Sequence, residues 1–152
     1  MKSSGKIIEE YGGWIACFFG LVLSCIVSPE KYHYSELING FPAIGLGIFG
    51  FMLTFIAIIL QSSNKTIDYM KSHSVLFQCF IQYNKRVVYV SAILTLYAYF
   101  VPNVYILIQN TIVEYPNRYV KMAVISVFWG LFAKLCVDTF FFIRLFYILL
   151  KQ

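Results

Sequence analysis

Charge is what this sequence has least of. Its 152 residues include 12 Lys or Arg and 7 Asp or Glu, together 12%, where soluble domains carry about a quarter. So few charges cannot coat a water-facing surface, which excludes an ordinary soluble domain. Metal and catalytic groupings are equally thin. His33 and His73 stand alone, far apart and on opposite predicted sides, so no shared metal site is expected. Cys17, Cys25, Cys79 and Cys136 match no zinc spacing and read as buried free thiols, three of them within apolar runs. No Ser, Cys or carboxylate stands beside a plausible base. The expectation is a protein that is not an enzyme and needs no cofactor. Glu9, Glu10 and Asp68 read as solvated charges.

What is present is apolar: 60% of residues are hydrophobic and 19% aromatic, gathered in long blocks rather than alternating with polar residues. The expected fold is all-α, a single polytopic transmembrane domain over 1–152. It has four transmembrane helices, with approximate spans 12–27, 41–60, 87–108 and 119–150. Gly12 to Val27 is short for a bilayer, and tilt or snorkelling of Lys6 would make up the difference. A signal peptide is the rival reading, because Lys2 and Lys6 precede the run. Leu23 is too large for the lipoprotein-like box Val22-Leu23-Ser24-Cys25. Phe41 to Leu60 holds no charge at all. Pro102 in the third run predicts a kink. The fourth run, roughly 46 Å long as a helix, exceeds the ~30 Å hydrocarbon thickness and must tilt or project.

Basic residues set the orientation. Lys2, Lys6, Lys65, Lys71, Lys85, Arg86 and Lys151 fall in the termini and the 61–86 loop, against Lys31 and Arg118 in the other two loops. The termini and that loop are therefore assigned to the cytoplasm. Within the loop, Ile67, Met70, Phe77, Phe80 and Ile81 fit one helical face, opposite Asp68, Lys71, Ser72, Gln78, Gln82 and Lys85. This predicts a short amphipathic cytoplasmic or interfacial helix over 66–83. The alternative is an extension of the second or third helix.

Three motifs need weighing. Gly45, Gly47 and Gly50 spell G-x-G-x-x-G, but inside a charge-free run with no βα unit. Ala43 and Gly47, then Gly50 and Thr54, are four apart, and close helix packing is the better reading. Asn64-Lys65-Thr66 fits a glycosylation sequon but falls in the cytoplasmic loop. The costly feature is Lys134, Asp138 and Arg144 in the fourth helix. Lys134 and Asp138 are i and i+4 and can pair. Each ionisable group there costs at least ~2.5–3.5 kcal/mol unless paired or hydrated. They should face a partner helix or a water-filled path. Arg144, ~80–120° around the helix, has another partner or snorkels.

One stretch resembles a known pattern. It runs from Gly50-Phe51-Met52-Leu53-Thr54 through Ile58-Ile59-Leu60-Gln61-Ser62, then Lys71-Ser72-His73 and Phe80-Ile81-Gln82-Tyr83. It is similar to small bacterial membrane proteins encoded beside antiviral defence enzymes, first the membrane effector of Hailong-type systems and second the membrane subunit of Kiwa-type systems. The first resemblance implies a homo-oligomer, taken as a tetramer, that is held off by short DNA oligomers from a partner nucleotidyltransferase. It conducts ions when they are removed. Ligand sensing would then fall to cytoplasmic elements, with Lys65, Lys71, Lys85 and Arg86 as phosphate partners. The same four residues serve orientation without any ligand. The competing readings are a non-conducting anchor or sensor, a small transporter and a membrane enzyme. Small four-helix exporters use a carboxylate in their first helix, and here none follows Glu10.

Overall fold

The structure, a computed structural model, describes residues 4–26, 34–61, 68, 72, 74–111 and 118–150. It is all-helical, as expected: α1 (Ser4–Ile26), α2 (Tyr34–Gln61), α3 (Ser74–Thr111) and α4 (Arg118–Leu150). Two helices are long and apolar enough to cross a membrane, through Glu36–Gln61 of α2 and Met122–Tyr147 of α4. The apolar part of α1, Tyr11–Ile26, is shorter.

The helices outrun the apolar runs that announced them. α1 starts at Ser4 rather than Gly12, because Lys6, Glu9 and Glu10 are good helix formers though polar. α2 starts at Tyr34 and carries Pro42 inside it. The larger correction concerns 66–83. From Ser74 onward this stretch is no separate helix but the first turns of α3, which continues through position 102 to Thr111. The amphipathic pattern is present, with Phe80 buried and Gln78 and Gln82 exposed. Its apolar face is taken up by the bundle: the Phe80 ring lies 6.2 Å from Phe55 of α2 and 5.1 Å from Phe142 of α4. The remainder of that segment, apart from Asp68 and Ser72, lies outside the described residues.

Neighbouring residues fix the topology. Ser24 of α1 meets Ser126 of α4, while Gly13 lies over Asp138. Met52 of α2 meets Asn84 of α3, and Tyr97 of α3 meets Val124 of α4. Phe41 and Phe55 of α2 pair with Phe128 and Phe142 of α4 in the same order. The helices therefore run up, down, up, down. α4 stands between α1 on one side and α3 on the other, and α2 lies along α3.

The buried positions follow the 3.5-residue period of packed helices. In α3 the main seam is Phe80, Asn84, Val87, Ser91, Leu94 and Ala98, spaced four, three, four, three, four, with Val90 and Thr95 buried beside it. In α2 the buried or half-buried series is Ile38, Phe41, Gly45, Ile48, Met52, Phe55 and Ile59. Rings fill the space between α2, α3 and α4, in edge-on and tilted pairs such as Phe41–Phe128 at 5.4 Å and Phe55–Phe146 at 5.1 Å.

Candidate functional site

The Lys134–Asp138 pair is closed, short and buried. Lys134 Nζ donates to Asp138 Oδ2 at 2.7 Å, and the two residues are 6% and 2% exposed. One helical turn separates them, so α4 aligns them without help. The sequence left open whether they face a partner helix or a water-filled path. In this structure they face a partner helix, α1.

α1 is shaped to receive them. A Cβ at Gly13 would stand 3.0 Å from both Asp138 Cγ and Lys134 Nζ and would collide with Asp138 Oδ1. Only glycine lets the α1 backbone come down onto the carboxylate. The next residue covers the other charge: the Trp14 ring lies 4.7 Å from Lys134 Nζ. A cation over an indole face gains about 0.5–1 kcal/mol when exposed and ~2 or more when desolvated. Along the same interface a Cβ at Gly20 would meet Trp129 O at 2.8 Å, and one at Gly130 would meet Cys17 O at 3.1 Å. Further along, the Ser24 and Ser126 hydroxyls share a 2.9 Å hydrogen bond, with Cys25 Sγ 3.3 Å from Ser126 Oγ. α1 and α4 are thus joined by glycine contacts, the Trp14 ring over Lys134 and one hydroxyl pair.

A second polar contact lies at the same level, where Tyr83 and Gly12 both approach Phe141. Buried Asn84 donates its Nδ2 to Met52 O at 3.1 Å, tying α3 to α2. Beyond it, Thr95 returns its hydroxyl to Ser91 O at 2.7 Å, below Gly45. No buried side-chain nitrogen or oxygen among the described residues lacks a partner. No cluster of His, Cys, Asp and Glu suited to a metal occurs among them either.

The other predicted residues do not join the pair. Arg144 is exposed, about 120° around α4 from Asp138. Lys85 is exposed with its ammonium 5.6 Å from the Tyr89 ring, and half-buried Arg86 lies 5.4 Å from the Tyr83 ring. Lys65 and Lys71 lie outside the described residues. Ala43, Gly47, Gly50 and Thr54 are all exposed, and a Cβ at Gly47 or Gly50 would meet nothing within 4 Å. Among the described residues, no helix packs against them. The glycine of α2 that packs is Gly45, where a Cβ would collide with Thr95 Oγ1. The thiols are free, but none is fully buried: Cys17 and Cys79 are half-buried, and Cys25 and Cys136 are exposed.

Gly13, Trp14, Ser24, Ser126 and Asn84 escaped sequence reasoning. The available signal was the pair of small residues Gly12 and Gly13 in an otherwise bulky run, and Asn84 at a seam position.

No family profile, curated protein or solved structure matches this chain.

Proposed function

We propose that this chain crosses the bacterial inner membrane four times, with both ends cytoplasmic. On this reading it works as a homo-oligomeric effector of anti-phage defence that conducts ions once a partner or nucleotide ligand releases it. The resemblance of the 50–83 stretch supplies the defence context. The observation that carries the assembly is the outer face of α2.

α2 is more apolar than α4, with a mean hydropathy of 2.5 against 1.7, yet only 17% of its most apolar stretch is buried against 33%. Its exposed face carries Gly40, Ala43, Gly47, Gly50, Thr54 and Ala57, spaced three, four, three, four, three. That series lies two residues, or about 200°, from the seam buried against α3. Lipid contact favours bulky apolar side chains, whereas small residues let helix backbones approach. Elsewhere in the chain, Gly12, Gly13, Gly20, Gly45 and Gly130 all sit where a Cβ would press on a neighbouring helix. A second copy of α2 is the partner that fits. Large exposed side chains such as Trp14, Phe18, Phe51, Ile58 and Tyr147 fit the lipid.

The test is the mass of the protein extracted in mild detergent, together with membrane potential in cells expressing it. A closed oligomer and depolarisation on activation are expected. A monomer under crosslinking conditions overturns the reading. One observation favours a non-conducting anchor or sensor: the charge pair is closed within one subunit. An oligomer that never changes the membrane potential would establish that alternative.

A further inference from the structure

We infer that α1 is a detachable cover over the Lys134–Asp138 pair, and that its docking on α4 is the resting state of the protein. The inference rests on the conducting reading for its consequence, though not for its geometry.

α1 lies along α4 and makes no comparable contact with α2 or α3. Its far face is bare: Ile15, Phe19, Val22 and Ile26 are all exposed. No second helix has to be displaced for it to move. The interface is one of close approach, with Phe141 seated on Gly12, Asp138 on Gly13, the Trp129 carbonyl on Gly20 and Leu21 on Gly130. Between helices in lipid there is no hydrophobic drive, only close packing and polar contacts. The polar contacts are few and placed near the two ends of the interface. Ser24 meets Ser126 at one end, and Gly13 and Trp14 meet the ion pair at the other.

Lifting α1 removes the Gly13 backbone and the Trp14 ring from the two charges. Hydrocarbon cannot receive them, so the uncovered state is stable only where water or a polar partner reaches the pair. Motion of α1 and hydration of the pair are therefore one event.

Two full-length variants test this. In the first, Cys25 and Ser126→Cys are the only thiols, and oxidation locks α1 to α4 where Cys25 Sγ already lies 3.3 Å from Ser126 Oγ. In the second, Cys17 is the only thiol, with or without Gly13→Leu as a wedge. Gly13→Ala serves as the milder wedge if the leucine prevents assembly. With the wedge, a water-soluble maleimide should label Cys17 about tenfold faster, which corresponds to about 1.4 kcal/mol of opening. The membrane should depolarise without further stimulus. Added to the lock variant, the same wedge should depolarise only after reduction. Unchanged Cys17 labelling in a properly assembled wedge variant overturns the cover. Depolarisation that persists in the oxidised lock overturns it too. Faster labelling without depolarisation keeps the cover and removes the conducting reading instead.

Discussion

Gly13 and Asp138 meet where no side chain fits between them: a Cβ on the glycine would lie 3.0 Å from the carboxylate carbon. One residue of α1 with no side chain and one charged residue of α4 thus form a single contact. That contact is part of how the ion pair of α4 is buried against α1. The cost of burying the charges is offset only while the backbone of α1, the Trp14 ring and each partner remain in place.

The first prediction follows from that dependence. Breaking a buried pair by removing one member costs ~3–5 kcal/mol, while removing both costs less. Lys134→Ala should be the harsher single change. It leaves Asp138 without its cation, whereas Lys134 in Asp138→Ala still has the indole face 4.7 Å away. The double alanine variant should recover part of the loss. Thermal unfolding of the purified variants in one detergent decides it. A double mutant no better than the worse single would show that the pair is not a coupled unit.

The glycines divide into two groups with opposite expectations. Gly20→Leu would push a side chain into Trp129 O, and Gly45→Leu into Thr95. Each should destabilise the subunit by at least about 1–3 kcal/mol, the usual cost of overpacking. Gly47→Leu and Gly50→Leu meet nothing inside the subunit. They should leave its unfolding temperature unchanged and dissociate the assembly. Unfolding curves and light scattering, run on all four variants, separate the groups. Loss of subunit stability in Gly47→Leu would place that face inside the fold after all.

Topology can be tested independently of assembly. With the native cysteines removed, a cysteine placed at Asn64 should be protected from an impermeant reagent added outside, and one at Ser35 should react. The reverse pattern would invert the membrane orientation.

Much of this architecture was legible as composition and period. The apolar runs announced α2 and α4 because a long charge-free stretch has few other solutions. The i,i+4 spacing announced the ion pair because the helix alone sets it. What lay beyond reach was anything decided between helices. Phe80 looked like part of a surface helix, since its partners Phe55 and Phe142 are 25 and 62 positions away along the chain. Glycine spacing suggested packing but could not say which face was taken. Gly45 turned out to pack inside, while Gly47, two residues on, points the other way. The role of Gly13 depends on a carboxylate 125 positions distant, and no local pattern encodes that.

Asn84 offers a fourth test. Its amide bonds Met52 O, a carbonyl that the α2 helix also bonds. Asn84→Leu should therefore cost only about 0.6–1.7 kcal/mol, the range for interhelical hydrogen bonds in membranes. A much larger loss in thermal unfolding would mean that this amide fixes the alignment of α2 on α3 rather than merely supporting it.

The two opposed faces of α2 limit how a gene for this protein can change in length. One inserted residue turns everything beyond it by about 100°, so bulky Phe49 or Leu53 would enter the small-residue face and part of the buried face would turn outward. Seven inserted residues turn it by ~700°, within about 20° of two full turns, and both faces survive. Insertions and deletions within α2 and its antiparallel partner α3 are therefore tolerated in matched steps of about seven. Descendants of a common ancestor should differ in these helices by whole double turns, while their connecting segments vary freely.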